Sequence, residues 1–264
     1  MGSAQDAFAV LVGAQFTAGK YGGDRAVSTV SVSMGAMASF GRWRWWATVP
    51  YIFQDASTVR TTGAGMLPVG GAVHTPNTGA AGGIMGGTSL AGMNDGGSGM
   101  TGHAGQGDPL LRVDATVWGS AAASGSLALY GAVKAPLTSA ANGFGTGRWD
   151  EAVGASFARH LTGVSVLAEV SYWHVGRAPG DPYRDVKAGT LTLARALAAT
   201  GQHVYGSLIA TTPFVQGSQG PVQLAVGWSR RGAHRRTFSM TAGVGLTPTA
   251  PSATLGAGWQ WGLR

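Results

Sequence analysis

The chain has no cysteine, which excludes a disulfide framework and fits an exported protein that needs none. It also has no run approaching about eighteen uninterrupted apolar residues, which excludes a transmembrane helix. Charged residues are scarce, at 11%, yet nine Trp among 264 residues are incompatible with the aromatic-poor composition of a disordered chain. Glycine is abundant, 45 residues, but follows no Gly-X-Y period, so a collagen helix is excluded. The formal charge of +7 would suit a nucleic-acid partner, but the bases are scattered and none clusters beyond the pairs Arg230-Arg231 and Arg235-Arg236. They read as turn and lumen charges attracted to anionic lipid, not as a nucleic-acid surface. No signal peptide is visible, and Met1-Gly2-Ser3 reads as a cloning remnant ahead of a mature N-terminus near Ala4.

What the chain does have is alternation. In the last segment Ala253, Leu255, Ala257, Trp259, Trp261 and Leu263 are apolar, whereas Thr254, Gly256, Gly258, Gln260 and Gly262 are small or polar. Only an extended strand converts that period of two into two distinct faces. The pattern recurs at Phe8, Val10 and Val12, and again at Val30, Val32 and Met34. It is strongest at Trp43, Trp45, Ala47, Val49, Tyr51 and Phe53, opposed by Arg42, Arg44, Trp46, Thr48, Pro50 and Gln54. Aromatics at both ends of an apolar face match the girdle–band–girdle profile of a membrane strand, although Pro50 cannot donate to a ladder. Further along, Val204, Gly206, Leu208, Ala210 and Phe214 share an apolar face. In Asp185–Leu197 the period is ambiguous, because Lys187 and Arg195 fall on the same face as Leu191 and Leu193 and must sit at the interfaces.

These segments predict an all-β fold: one transmembrane antiparallel up-and-down β-barrel of about twelve strands, spanning residues 1–264 as a single domain. Short and longer connections alternate, as a bacterial outer-membrane barrel with both termini inside requires. The stretch Ser57–Gln106 has no periodicity and reads as one long Gly-rich extracellular loop, a lid or plug. The apolar face then meets lipid and the small, polar face lines the lumen, inside-out relative to a soluble lipocalin. The charges predicted to line the pore are Arg42, Arg44, Arg112, Asp114, Lys134, Asp150, Glu169 and Arg235. They suit a constriction that filters solutes by charge, or ion pairs that brace the barrel, and both roles are compatible.

Barrels of this size also include lipid hydrolases, which need a nucleophile–histidine pair near a membrane interface. No Ser stands two positions from His174, and His160, His203 and His234 fall at turns, so no catalytic residue is assigned. In the long loop, Met66, Met85, Met93, Met100, His74 and His103 have irregular spacing, so neither a metal nor a cofactor is assigned. The expected partners are the lipid bilayer, lipopolysaccharide and a small-molecule solute. A lipid-modifying hydrolase, or a closed barrel presenting its loop to a partner, are the competing readings.

Two stretches resemble the outer-membrane family of "MetA-pathway of phenol degradation" transporters. Gly102–Gly119, GHAGQGDPLLRVDATVWG, is similar to that family's Gly-x-Gly-Asp opening of a strand after a Gly-rich loop. Tyr130–Leu161 is similar to its strand ending in Gly-x-Lys-x-Pro, its Gly-Thr-Gly loop and the Asp that opens the next strand. The resemblance implies a FadL-like or porin-like barrel that moves small aromatic or hydrophobic compounds inward, and it names no catalytic residue.

Overall fold

Strands form where the alternation predicts them. In a computed structural model, residues 7–21, 26–55, 59–62, 65–68, 103–120, 124–138, 144–177, 181, 183–197, 201–233 and 235–263 are described. They comprise β1 (Ala7–Gly19), β2 (Val27–Phe40), β3 (Trp43–Gln54), β4 (Val59–Thr62), β5 (Gly65–Pro68), β6 (His103–Gln106), β7 (Leu110–Gly119) and β8 (Gly125–Lys134). There follow β9 (Asp150–Leu161), β10 (Val164–His174), β11 (Val186–Leu197), β12 (Gln202–Thr211), β13 (Val222–Arg231), β14 (Arg236–Gly245) and β15 (Ala253–Leu263).

Twelve long strands close into an antiparallel ring. Each pairs with its sequence neighbour, β15 pairs with β1, and β3 pairs with β7 to carry the wall past the long connection. Closure removes the sheet edges, so every strand's backbone groups can be satisfied within the wall, a condition for crossing hydrocarbon. The connections 41–42, 120–124, 162–163, 198–201 and 232–235 all lie at the end that holds both termini. The longer ones, 20–26, 135–149, 175–185, 212–221 and 246–252, lie at the other end. By the usual asymmetry of such barrels the first end is periplasmic and the second extracellular. Gly41 and Gly163 turn the two tightest connections with φ +56° and +81°, a left-handed conformation that costs glycine little.

Exposure confirms which face is which. Phe8, Met34, Trp45, Val49, Val170, Leu193, Leu224, Val244 and Leu255 point outward and are exposed, forming a continuous apolar band. Arg112, Asp114, Lys134, Asp150 and Glu169 point inward and are buried. Aromatic contacts mark the periplasmic rim: Phe8 meets Phe40 at 5.3 Å, and Phe238 meets Trp228 at 6.1 Å and Trp259 at 4.8 Å. Lys187 and Arg195 sit near opposite ends of β11, at the two interfaces, as their charge requires.

Three expectations need correction. The stretch from Ser57 to Gln106 is not unstructured throughout: β4 and β5 form a hairpin, and β6 pairs with β3. Of its Met and His residues, His74, Met85, Met93 and Met100 lie outside the described residues. Phe214 does not join the lipid face; β12 ends at Thr211, and Phe214 folds inward and is fully buried. Pro50 costs the sheet little, because it falls where β3 changes partner. Thr48 is level with Leu110 of β7, whereas Tyr51 is level with Gln106 of β6. Residues 107–109 fit one extra residue into that gap, and this bulge turns Asp108 into the barrel.

Candidate functional site

The lumen has a charged wall and a neutral wall. On the charged side Arg112 and Asp114, two residues apart on β7, point the same way because the strand period is two. The Arg112 guanidinium donates to Asp114 Oδ1 from Nη2 at 2.7 Å and to Glu169 of β10 from Nη1 and Nη2 at 3.2 and 3.0 Å. Tyr130 of β8 also donates to Glu169, at 2.8 Å, and Arg112 lies 3.6 Å from the centre of the Tyr130 ring. To reach β10, the ring must cross β9. It does so over Gly154, its register partner, where even a Cβ would collide with the ring. The same device recurs where Tyr205 lies over Gly227.

A second cluster sits nearer the extracellular end. Lys134 Nζ, almost fully buried, donates to Asp108 at 2.8 Å and Thr146 at 2.9 Å, with Asp150 at 3.3 Å. Asp108 also accepts from the Thr138 hydroxyl and amide, and Asp150 accepts from the Gly176 amide. One lysine thus ties the β7 bulge, the β8–β9 loop, the start of β9 and the β10–β11 loop together. Asp108, Lys134, Thr146 and Asp150 are brought together here from four points along the chain. Lys134 and Asp150 were legible as lumen charges. Asp108 was not, because the bulge that aims it inward breaks the alternation.

The remaining predicted pore residues do not join these clusters. Arg44, on β3, is level with Asp114 of β7 and is exposed. Arg42 lies in the 41–42 turn, 5.6 Å from the Trp43 ring, and Arg235 occupies the 232–235 turn with φ +55°. Both mark the periplasmic rim, away from mid-wall.

The neutral wall carries hydroxyls and amides. Thr192 pairs with Ser207 at 2.8 Å, and Gln223 donates to Thr254 at 2.8 Å. Towards the extracellular end of the lumen lies an apolar cluster that the sequence did not reveal: Trp173, Val175, Tyr183, Val186 and Phe214, packed on Ala132 and Ala152. The loops around it are tied together by the Tyr183–Val215 bridge, the Arg184 amide donating to the Phe214 carbonyl, and Arg177 donating to the Tyr183 carbonyl.

Two histidine contacts bear on catalysis. His174 Nδ1 lies 3.1 Å from Asp185, which also accepts from the Tyr172 hydroxyl at 2.7 Å. Partial burial pushes the Asp185 carboxyl up, but hydrogen bonds from Tyr172, His174 and the Val175 amide outweigh it and hold it below the usual carboxylate range. His160 Nδ1 lies 2.9 Å from Ser165 Oγ at the periplasmic end. Among the described residues no carboxylate supports the second pair and no serine supports the first, so neither makes a complete acyl-transfer site. No group of three metal-binding side chains occurs among the described residues.

No family model and no curated protein matches the chain. Solved structures do. The β domain of the Bordetella autotransporter BrkA aligns at 13% identity and TM-score 0.46, over 97% of this chain and 98% of that one. The CymD monoaromatic hydrocarbon channel aligns at 8% identity and TM-score 0.43, over 98% and 88%. A porin aligns at 10% identity and TM-score 0.38, over 98% and 100%. With identities this low and TM-scores below 0.5, these likenesses carry no argument about substrate, and function is inferred from the chain's own side chains.

Proposed function

We propose that this protein is an outer-membrane channel that passes small, uncharged or aromatic solutes through a narrow lumen. One observation carries the reading: every buried lumen charge has a partner of opposite sign, with one carboxylate in excess in each cluster. Arg112 is shared between Asp114 and Glu169, and Lys134 between Asp108 and Asp150. Charges paired in this way brace the wall, and the four carboxylates exceed the two cations only enough to disfavour anions, a weaker field than that of a ring of unpaired charges. The opposite wall offers hydroxyls and amides, and the extracellular end carries an apolar, aromatic cluster. A small solute with an apolar body and one polar group fits both surfaces. The resemblance to the phenol-degradation transporter family points in the same direction.

Planar-bilayer conductance and proteoliposome uptake test the proposal. The expected result is a small conductance with a modest preference for cations, and faster uptake of a phenol than of a negatively charged benzoate of similar size. Absence of both current and uptake, in the full chain and in a variant lacking residues 69–100, would overturn it.

A further inference from the structure

On the lipid-facing side of β7–β10, near the extracellular end, the wall is concave. The hollow has a volume of about 550 Å³. Register places its lining in two rows. The lower is Val113, Gly131, Val153 and Tyr172; the upper is Leu111, Val133, Glu151 and His174. One long side is therefore aliphatic, and the polar groups gather at the corner nearest the rim.

Gly131 makes the hollow. Its side chain would point outward, and an added Cβ would meet nothing closer than the Ala152 carbonyl at 3.8 Å. Neither wall packing nor a left-handed backbone demands glycine there, in contrast to Gly154. The missing side chain leaves space that faces hydrocarbon. On the inner side the wall is backed by Ala132, Ala152 and Trp173 with their apolar cluster, so the hollow opens outward.

We infer that this hollow is a binding site for one acyl chain of lipid A, with the anionic head group at the rim above it. Position and charge select that occupant. The hollow lies within the apolar band, so bilayer surrounds it, and at the extracellular end the surrounding leaflet is the outer one. Two convex barrel walls would leave a concavity unfilled, whereas a flexible hydrocarbon chain fills it. Trp149, 56% exposed, stands at head-group level, where amphipathic aromatics are favoured, and Tyr172 reaches up from the lower row to place its hydroxyl 2.7 Å from Asp185. At the same rim Arg148, Arg177, Arg184 and Lys187 outnumber Glu151, Asp181 and Asp185. Asp185 is occupied by Tyr172, His174 and Arg177. The balance favours phosphate.

Native mass spectrometry of the barrel, extracted from outer membranes and exchanged into mild detergent, tests the inference. The expected spectrum shows one retained lipid A per barrel. Gly131→Leu fills the hollow and should lower that occupancy at least tenfold. Gly206→Leu adds the same bulk to an equally open outward position on β12 and should leave it unchanged. A heat-modifiability gel checks that each variant is folded; if Gly131→Leu fails to assemble, Val133→Trp fills the same hollow from its upper row. No bound lipid in the wild type, equal occupancy in every variant, a retained phospholipid or small hydrocarbon instead, or a second copy of the chain would each overturn the inference. Because the readout is lipid mass, it is independent of whether the lumen conducts.

Discussion

Arg112 holds two carboxylates that would otherwise stand unpaired in the wall, Asp114 and Glu169, both buried. Removing the cation leaves two buried charges without a counter-ion, which typically costs about 3–5 kcal/mol. Arg112→Met should therefore lower stability against guanidinium unfolding from vesicles by that order, while Arg112→Met combined with Glu169→Gln and Asp114→Asn should recover part of it. The same double-carboxylate variant with Arg112 intact exposes an uncompensated cation to the lumen, and its bilayer conductance should shift towards anions. At Gly154 the constraint is steric. An alanine there must displace the Tyr130 ring, at roughly 1–3 kcal/mol. A double-mutant cycle of Gly154→Ala with Tyr130→Ala should show the two changes costing less together than separately.

At the scale of elements, the extracellular loops are locked by side chains rather than by secondary structure. Lys134 joins four segments through one ammonium group. Lys134→Met should raise protease sensitivity in 135–149 and 175–185 and leave the β12–β15 wall protected in hydrogen exchange. Asp185 anchors the β10–β11 loop to the end of β10. Its folded-state pKa is depressed, so its stabilising contribution is fully present above about 3.9, the ordinary aspartate value, and is lost as pH falls further through the depressed value. Hydrogen exchange of 175–185 should therefore be insensitive to pH from 7 down to about 4 once intrinsic rates are corrected for, and should accelerate below it. Asp185→Asn should show the faster exchange at neutral pH.

For the whole molecule, closure depends on β15 meeting both β1 and β14. Trp259 packs on Phe238 at the periplasmic rim, and Trp261 is level with Val10. Replacing both tryptophans with Asp places two charges on the lipid-facing side of the closing strand, where each is unfavourable by up to a few kcal/mol depending on depth. Assembly into membranes, read by heat modifiability, should be abolished.

The sequence by itself determined the twelve long strands, their two faces and the closed barrel. Period-two alternation is a local property, and burial on one side of a sheet preserves it along each strand. It could not show that Asp108 turns inward, since a bulge displaces the alternation by one residue without a mark in composition. Nor could it show that Phe214 folds into the mouth, that Tyr130 needs Gly154, or that Gly131 leaves the wall hollow. Each of these depends on which residues stand level across neighbouring strands, and register is settled only when the whole ring closes.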